Sequence, residues 1–255
     1  MKSLLAFFKK ELLESVRGAK LFVILGISIV IGFLNPGITA ITPWLMEMFS
    51  ESLAAGGMQV TVMTVSAVDS WMQFFSNVTI LHIAFVMMYG GIFTKEYGST
   101  LVLVITKGLA RYKIVLAKLA SMLIVWTVSY WMCYVITYVA NDVLWDNSIV
   151  PGVLESAALY WIFGVWTIAL CVMFSTIFSN YIGVLLGTGG TVVLSYILSI
   201  IPKAESALPT GLMNVYGIML GAEGVSELKW AITVTLLTTV LAIAASFPLM
   251  NRKEI

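Results

Sequence analysis

Apolar residues in this chain fall in runs too long for the core of a soluble domain. A helix crosses the bilayer hydrocarbon in about 20 mostly apolar residues. Six runs meet or approach that length, at roughly 21–34, 77–93, 114–140, 153–178, 181–201 and 230–250. The first is short, and Asn35-Pro36-Gly37 is expected to break it. Only Ser179-Asn180 separates the fourth and fifth, which predicts a tight turn. Residues 2–20 read as an amphipathic helix. Leu5, Phe8, Leu12 and Val16 recur at three- and four-residue spacing, while Lys9, Lys10, Glu14 and Arg17 take other faces. Such a helix lies in the membrane plane. Outer loops are expected at 35–76, 141–152 and 202–229. Trp44, Phe49 and Trp71 in the first suit the headgroup level. The third, with Pro202, Pro209 and several glycines, suits short half-helices whose ends protein must bury. The expected fold class is an all-α polytopic membrane protein, one transmembrane domain over 1–255 with six transmembrane helices and an N-terminal interfacial helix.

Composition agrees. The chain is 60% hydrophobic and 11% charged, with a mean hydropathy of +1.00, whereas soluble domains carry about 25% charged residues. The few charges are ordered. Lys2, Lys9, Lys10, Arg17 and Lys20 precede the first run, and no Lys or Arg occurs from 21 to 94. Lys95, Lys107, Arg111, Lys113 and Lys118 then cluster between the second and third runs. Segment 141–152 has Asp142 and Asp146 but no basic residue, and Arg252 and Lys253 follow the last run. Cytoplasmic loops retain Lys and Arg, so a multi-pass chain with both termini cytoplasmic is expected. The basic residues sit at membrane boundaries, where they meet lipid or a cytosolic partner rather than nucleic acid.

Catalytic machinery is missing from the pattern. His82 is the one histidine, so no HExxH zinc site forms, and without a Gly-Lys dipeptide there is no phosphate-binding loop. Cys133 and Cys171 lie inside apolar runs without CxxC spacing and read as core residues. The chain is expected not to be an enzyme, to hold no metal, and to need no cofactor of its own.

The loop at 94–113 carries the most local information. Thr100 can cap a short apolar helix over Leu101–Ile105, and Gly108 can end it. An apolar helix held between charged ends needs a partner surface. Small residues suggest close helix approach at Gly183-xxx-Gly187 and at Ser28-xxx-Gly32, within one subunit or between two. His82, Met87, Tyr130 and Tyr134 are candidates for a cargo path. The competing readings are a hydrogen bond to a neighbouring helix for His82, ordinary membrane-helix use for Met87, and packing for the tyrosines, since Trp126, Tyr130, Tyr134 and Tyr138 form a four-residue-spaced stripe.

With Glu96, Gly98, Thr100-Leu101, the apolar run, Thr106, Arg111 and Lys118, the loop resembles that of ABC-2-type ABC transporter permeases. The six-span layout, amphipathic start and broken outer loop extend the resemblance over nearly the whole chain. Gly108 stands where that family often has proline. The resemblance implies an ABC-2 (type V) exporter-like fold, and a coupling helix seated in a separate cytosolic ATPase. Lys95, Glu96, Gly98, Thr100, Leu101, Val104, Ile105 and Arg111 would carry that contact. It also implies two ATPase subunits binding ATP and Mg, and a second permease subunit, most simply a homodimer, meeting through the first and fifth spans at Ser28, Gly32, Gly183 and Gly187. The implied activity is export of hydrophobic or amphipathic cargo, small peptides, toxins or lipophilic drugs, across a bacterial cytoplasmic membrane. Two other classes stay open. An ion-coupled secondary transporter would need coupling residues at mid-membrane, and a non-transporting immunity or assembly protein shares the topology.

Overall fold

The computed structural model describes residues 2–54, 64–97, 100–201 and 204–253. Among them the fold is all-helical: α1 (Lys2–Arg17), α2 (Lys20–Ala54), α3 (Ala67–Tyr89), α4 (Thr100–Thr106), α5 (Arg111–Leu144), α6 (Val153–Ile177), α7 (Tyr181–Ser199), α8 (Tyr216–Met219) and α9 (Lys229–Arg252), with short 3-10 turns between. Six of them, α2, α3, α5, α6, α7 and α9, are long and apolar enough to cross a membrane. The chain has the form of a multi-pass membrane protein.

Contacts between helix ends define a basic face. Tyr181 at the start of α7 donates to Met87 O near the end of α3 at 2.6 Å. Arg111 at the start of α5 donates to Met250 O of α9 at 2.8 Å, and Lys253 reaches Ser175 O of α6 at 3.0 Å. So α2, α5 and α7 leave this face, α3, α6 and α9 return to it, and α1 and α4 lie at it.

α6 is the central helix, packed against α9, α7, α5 and α3. Its contact with α5 is aromatic. A Cβ on Gly164 would lie 2.3 Å from the Trp126 ring, so the missing side chain is what lets the indole lie against α6. Hydrocarbon offers no water, so polar tips need partners inside the protein. Tyr130 donates to Ala157 O at 2.7 Å, Tyr160 to Thr79 Oγ1 at 3.0 Å, and Trp126 Nε1 to Trp161 O at 3.3 Å. Trp126, Tyr130 and Tyr134 of the stripe on α5 are therefore packing residues, while Tyr138 at its outer end is exposed.

The first span is longer than the sequence pattern suggests. α2 does not break at Asn35-Pro36-Gly37; it continues through Pro36 and Pro43. Pro36 has no N–H to give Gly32 O, four residues back. Thr137 of α5 supplies the donor instead, at 2.9 Å. Asn35 Nδ2 approaches Thr137 Oγ1 at 3.4 Å, and Asn77 of α3 donates to Asn35 Oδ1 at 2.9 Å. Two neighbouring helices thus repair a proline defect, which the local sequence of α2 does not reveal. Beyond Thr39 the helix stands clear of the bundle, with Ile41, Trp44 and Phe49 exposed.

α3 likewise begins at Ala67, well before 77. Ser66 N–H donates to Asp69 Oδ2 at 2.7 Å and fixes its start. Trp71 is consequently not a headgroup cap; it is fully buried and donates to Asn147 Oδ1 at 3.0 Å. The expected turn after α6 is present, with Asn180 Oδ1 accepting from Gly183 N–H at 2.6 Å. In place of half-helices, the described part of 202–229 forms short turns and α8. The Pro209–Met213 turn packs on α6, α7 and α9.

Replacing Thr137 with Val keeps the shape and removes the donor to Gly32 O. The expected cost is ~1–2 kcal/mol, the scale of an interhelical hydrogen bond in a membrane. A lowered unfolding midpoint in detergent checks it; an unchanged midpoint would mean that Gly32 O finds another donor.

Candidate functional site: the basic end of the bundle

Between α3 and α5 the chain makes turns over 90–97, then α4, then a sharp stop. Gly108 adopts φ +85°, its N–H bonds Ile105 O at 2.9 Å, and Leu109 N–H bonds Val104 O at 3.2 Å. This is the paired-bond ending that glycine permits, so Gly108 ends α4 as its sequence position suggests.

Beneath α4 lies a buried network of charges. Lys118 of α5 has no exposed surface. Its Nζ donates to Glu11 Oε2 at 3.0 Å and to Ile92 O at 2.9 Å, and pairs with Glu96 Oε2 at 2.7 Å. The Phe7 and Phe93 rings lie 5.8 and 5.4 Å from the ammonium. Lys10 reaches Glu11 at 3.1 Å, Glu14 at 2.9 Å, and Glu96. Burial works against the charge on Lys10, but Glu96, Glu14 and Glu11 outweigh it and raise its pKa. Burial would also raise the Glu14 carboxyl; Lys10 overcomes it and holds that group below the usual range. Oxygens of Glu11, Glu14 and Glu96 come within 4.8 Å of one another, a spacing fit for a cation, and the two ammonium groups supply it.

Basic and aromatic groups cap the neighbouring helix ends, whose last carbonyls lack intrahelical donors and form the negative pole of the helix dipole. Arg111 donates to Met250 O, Asn251 O and Lys253 O at 2.8, 3.1 and 2.6 Å. Lys253 serves Ser175 O at 3.0 Å and Phe178 O at 2.7 Å, and Tyr97 donates to Ser175 O at 2.6 Å.

These positions change several expected roles. Glu96 is 6% exposed and turned inward, so its carboxylate serves the network rather than a partner surface. Arg111 caps α9. Leu101 is fully buried and anchors α4, while Val104 and Ile105 are partly buried against the core. The exposed apolar residue of α4 is Leu103, at 62%. Thr100 opens the helix, Lys95 is exposed, and Gly98 lies outside the described residues.

The small-residue positions are used inside the chain. Ser28 is fully buried and bonds Ile24 O at 2.9 Å. A Cβ on Gly32 would meet Ile136 at 2.8 Å; on Gly183 it would meet Phe178 at 2.8 Å, and on Gly187 Phe174 at 2.7 Å. The three glycines thus each have a close neighbour within their own chain. Of the cargo candidates, Tyr130 and Tyr134 are core residues. His82 and Met87 line a cavity of about 430 Å³ between α3, α6 and α7, where His82 Nε2 meets Thr167 Oγ1 at 2.7 Å.

Sequence reasoning missed Glu11 and assigned Lys118 no role of its own. A signal was available. Leu4, Phe7, Phe8, Glu11 and Ser15 recur at three- and four-residue spacing, and this stripe is the one that faces the protein. Leu5, Leu13 and Val16 face outward. A carboxylate on a core-facing stripe demands a buried cation. No protein-family model, curated protein or solved structure matches this chain.

Replacing Lys118 with Met leaves Lys10, itself partly exposed, as the one cation beside the buried Glu11 and Glu96, and should cost up to ~3–5 kcal/mol of stability. Adding Glu11→Gln should recover part of that loss, giving strong coupling in a double-mutant cycle of detergent melts; additive effects would mean that the pair is not a unit. Acidification gives a second check. A carboxyl held low in the folded state adds stability above its unfolded pKa of about 4.3, and that stability disappears as pH falls through the folded value. The melting point should therefore drop at the acid end, and Glu14→Gln should shrink that drop. Lys10, held high by the same carboxylates, keeps its proton throughout the acid range, being far below its unfolded pKa of about 10.4, so the drop is read from the carboxylates.

Proposed function

We propose that this chain is the transmembrane permease subunit of an ATP-driven ABC exporter of the ABC-2 type, residing in a bacterial cytoplasmic membrane with its basic face toward the cytosol. A separate ATPase supplies the energy, and a second permease subunit completes the assembly. Hydrophobic or amphipathic cargo, such as small peptides or lipophilic drugs, enters sideways from the membrane through the cavity beside His82 and Met87.

The observation that carries the reading is how α4 is mounted. This short apolar helix lies outside the spans with Leu103 bare, and its base is fixed to three elements at once. Leu101 sits in the core and its N–H bonds Glu96 O at 3.2 Å, while Glu96 is tied through Lys118 and Lys10 to α5 and α1. α1 and α4 flank a groove of about 360 Å³ lined by the apolar Ala6, Phe7, Val104 and Leu109 together with Lys10 and Lys107. A partner seated on Leu103 and this groove would push on α1, α5 and the end of α3 together. Packed helices respond to such a push by switching between arrangements rather than by bending.

The test is purification of the tagged chain from its native membranes in mild detergent. An ATPase subunit in fixed ratio is expected, lost with Leu103→Asp while the protein stays monodisperse and its melting point holds. A folded chain that brings no ATPase would overturn the reading.

A further inference from the structure

A second pocket lies at the basic end of the α3–α7 seam. It measures about 320 Å³, has Met87, Met88 and Gly91 in its wall, and is faced by Lys20 and Lys95, with Tyr181 beside them. Among the described residues no carboxylate forms an ion pair with either lysine. Glu14, whose field reaches Lys20, is engaged by Lys10 at 2.9 Å. The pocket is thus positively charged, apolar in its floor, and set where a span begins.

Met87 also lines the cavity between α3, α6 and α7, so the charged pocket and the apolar cavity adjoin. The helices meet closely at the basic end, where a Cβ on Gly91 would lie 2.9 Å from Tyr181 and one on Gly90 would lie 3.1 Å from Leu185. Further along, Ile83, Met87 and Val193 of the cavity wall are 55%, 56% and 57% exposed, so the cavity opens on the perimeter of the bundle. From its charge and shape we infer that this seam binds an anionic phospholipid, its phosphate between Lys20 and Lys95 and one acyl chain in the cavity beside His82. The second chain stays in the bilayer. A free phosphate would use the lysines alone, whereas a phospholipid uses both compartments.

The site is tested on the purified full chain in detergent, given equal amounts of phosphatidylglycerol and phosphatidylcholine and read by native mass spectrometry. One phosphatidylglycerol per chain is expected, preferred roughly tenfold, the size expected of two partly screened lysines. Lys20→Gln with Lys95→Gln should abolish the preference. Gly189 lines the cavity and has open space around it. Gly189 thus accepts a Cβ, and Gly189→Leu, placed in the cavity wall, should lower retention of the lipid. Equal retention of the two lipids by the unaltered protein would overturn the proposal, and that arm needs no variant to fold. A preference that survives loss of both lysines would overturn it too. So would displacement by millimolar inorganic phosphate with no effect of Gly189→Leu, which would mark a phosphate site instead. The readout involves no ATPase, so it stands or falls apart from the permease reading.

Discussion

An ammonium group with no exposed surface must be surrounded by acceptors, and Lys118 draws its three from separate parts of the chain: Glu11 of α1, Glu96 after α3, and the Ile92 carbonyl. Much of the basic end follows from that requirement. The pairs need not make the fold more stable than apolar residues would, because desolvating the charges costs about as much as their attraction returns. Their effect is selective. With Glu11 buried, α1 has one face it can present to α5, and with Glu96 buried, the turns before α4 have one way to lie. A slipped α1 would leave charges unpaired in a place without water.

Inside the spans the same constraint acts through neutral groups. Thr137 serves the carbonyl that Pro36 orphans, and Asn77 and Asn35 close the set. Ser70 of α3 and Asn141 of α5 make a similar link farther out, at 2.6 Å. These bonds bind α2, α3 and α5 into one group. α9 instead lays a face of small residues, Ala231, Thr235, Thr239, Ala242 and Ser246, into the bundle beside α6. The hydroxyls of Thr235, Thr239 and Ser246 turn back to their own helix.

The six spans and the basic clusters were legible because hydrophobic length and charge placement are properties of each segment alone. The ending of α4 at Gly108 was legible for the same reason. What depended on neighbours was not. Pro36 reads as a breaker until Thr137 is placed beside it, and the 77 boundary ignored a cap made by Ser66 and Asp69. Small residues at 28, 32, 183 and 187 announce a close approach but not to what, and the answer here is Ile136, Phe178 and Phe174 for the three glycines. On α1 the stripe Leu5, Phe8, Leu12 and Val16 is the more apolar by sequence, yet Leu5 and Val16 point outward, and the stripe that faces the protein includes a carboxylate. Only the partner cation makes Glu11 a core residue.

Cohesion is uneven across the bundle, and that bears on which parts can move. In the apolar window of α6, 67% of residues are buried; in that of α7 the share is 17%. α7 rests on α6 and the Pro209–Met213 turn, and meets α3 at Gly90 and Gly91 with the Tyr181 bond to Met87 O. Local stability follows buried contact, so separating α7 from α3 costs less than disturbing α5 or α6. The cavity sits along that weaker seam, while α4 and the Lys118 network are fixed to the stronger part. A force applied at α4 would therefore reach the rigid core first, and the seam between α3 and α7 is where the bundle resists least.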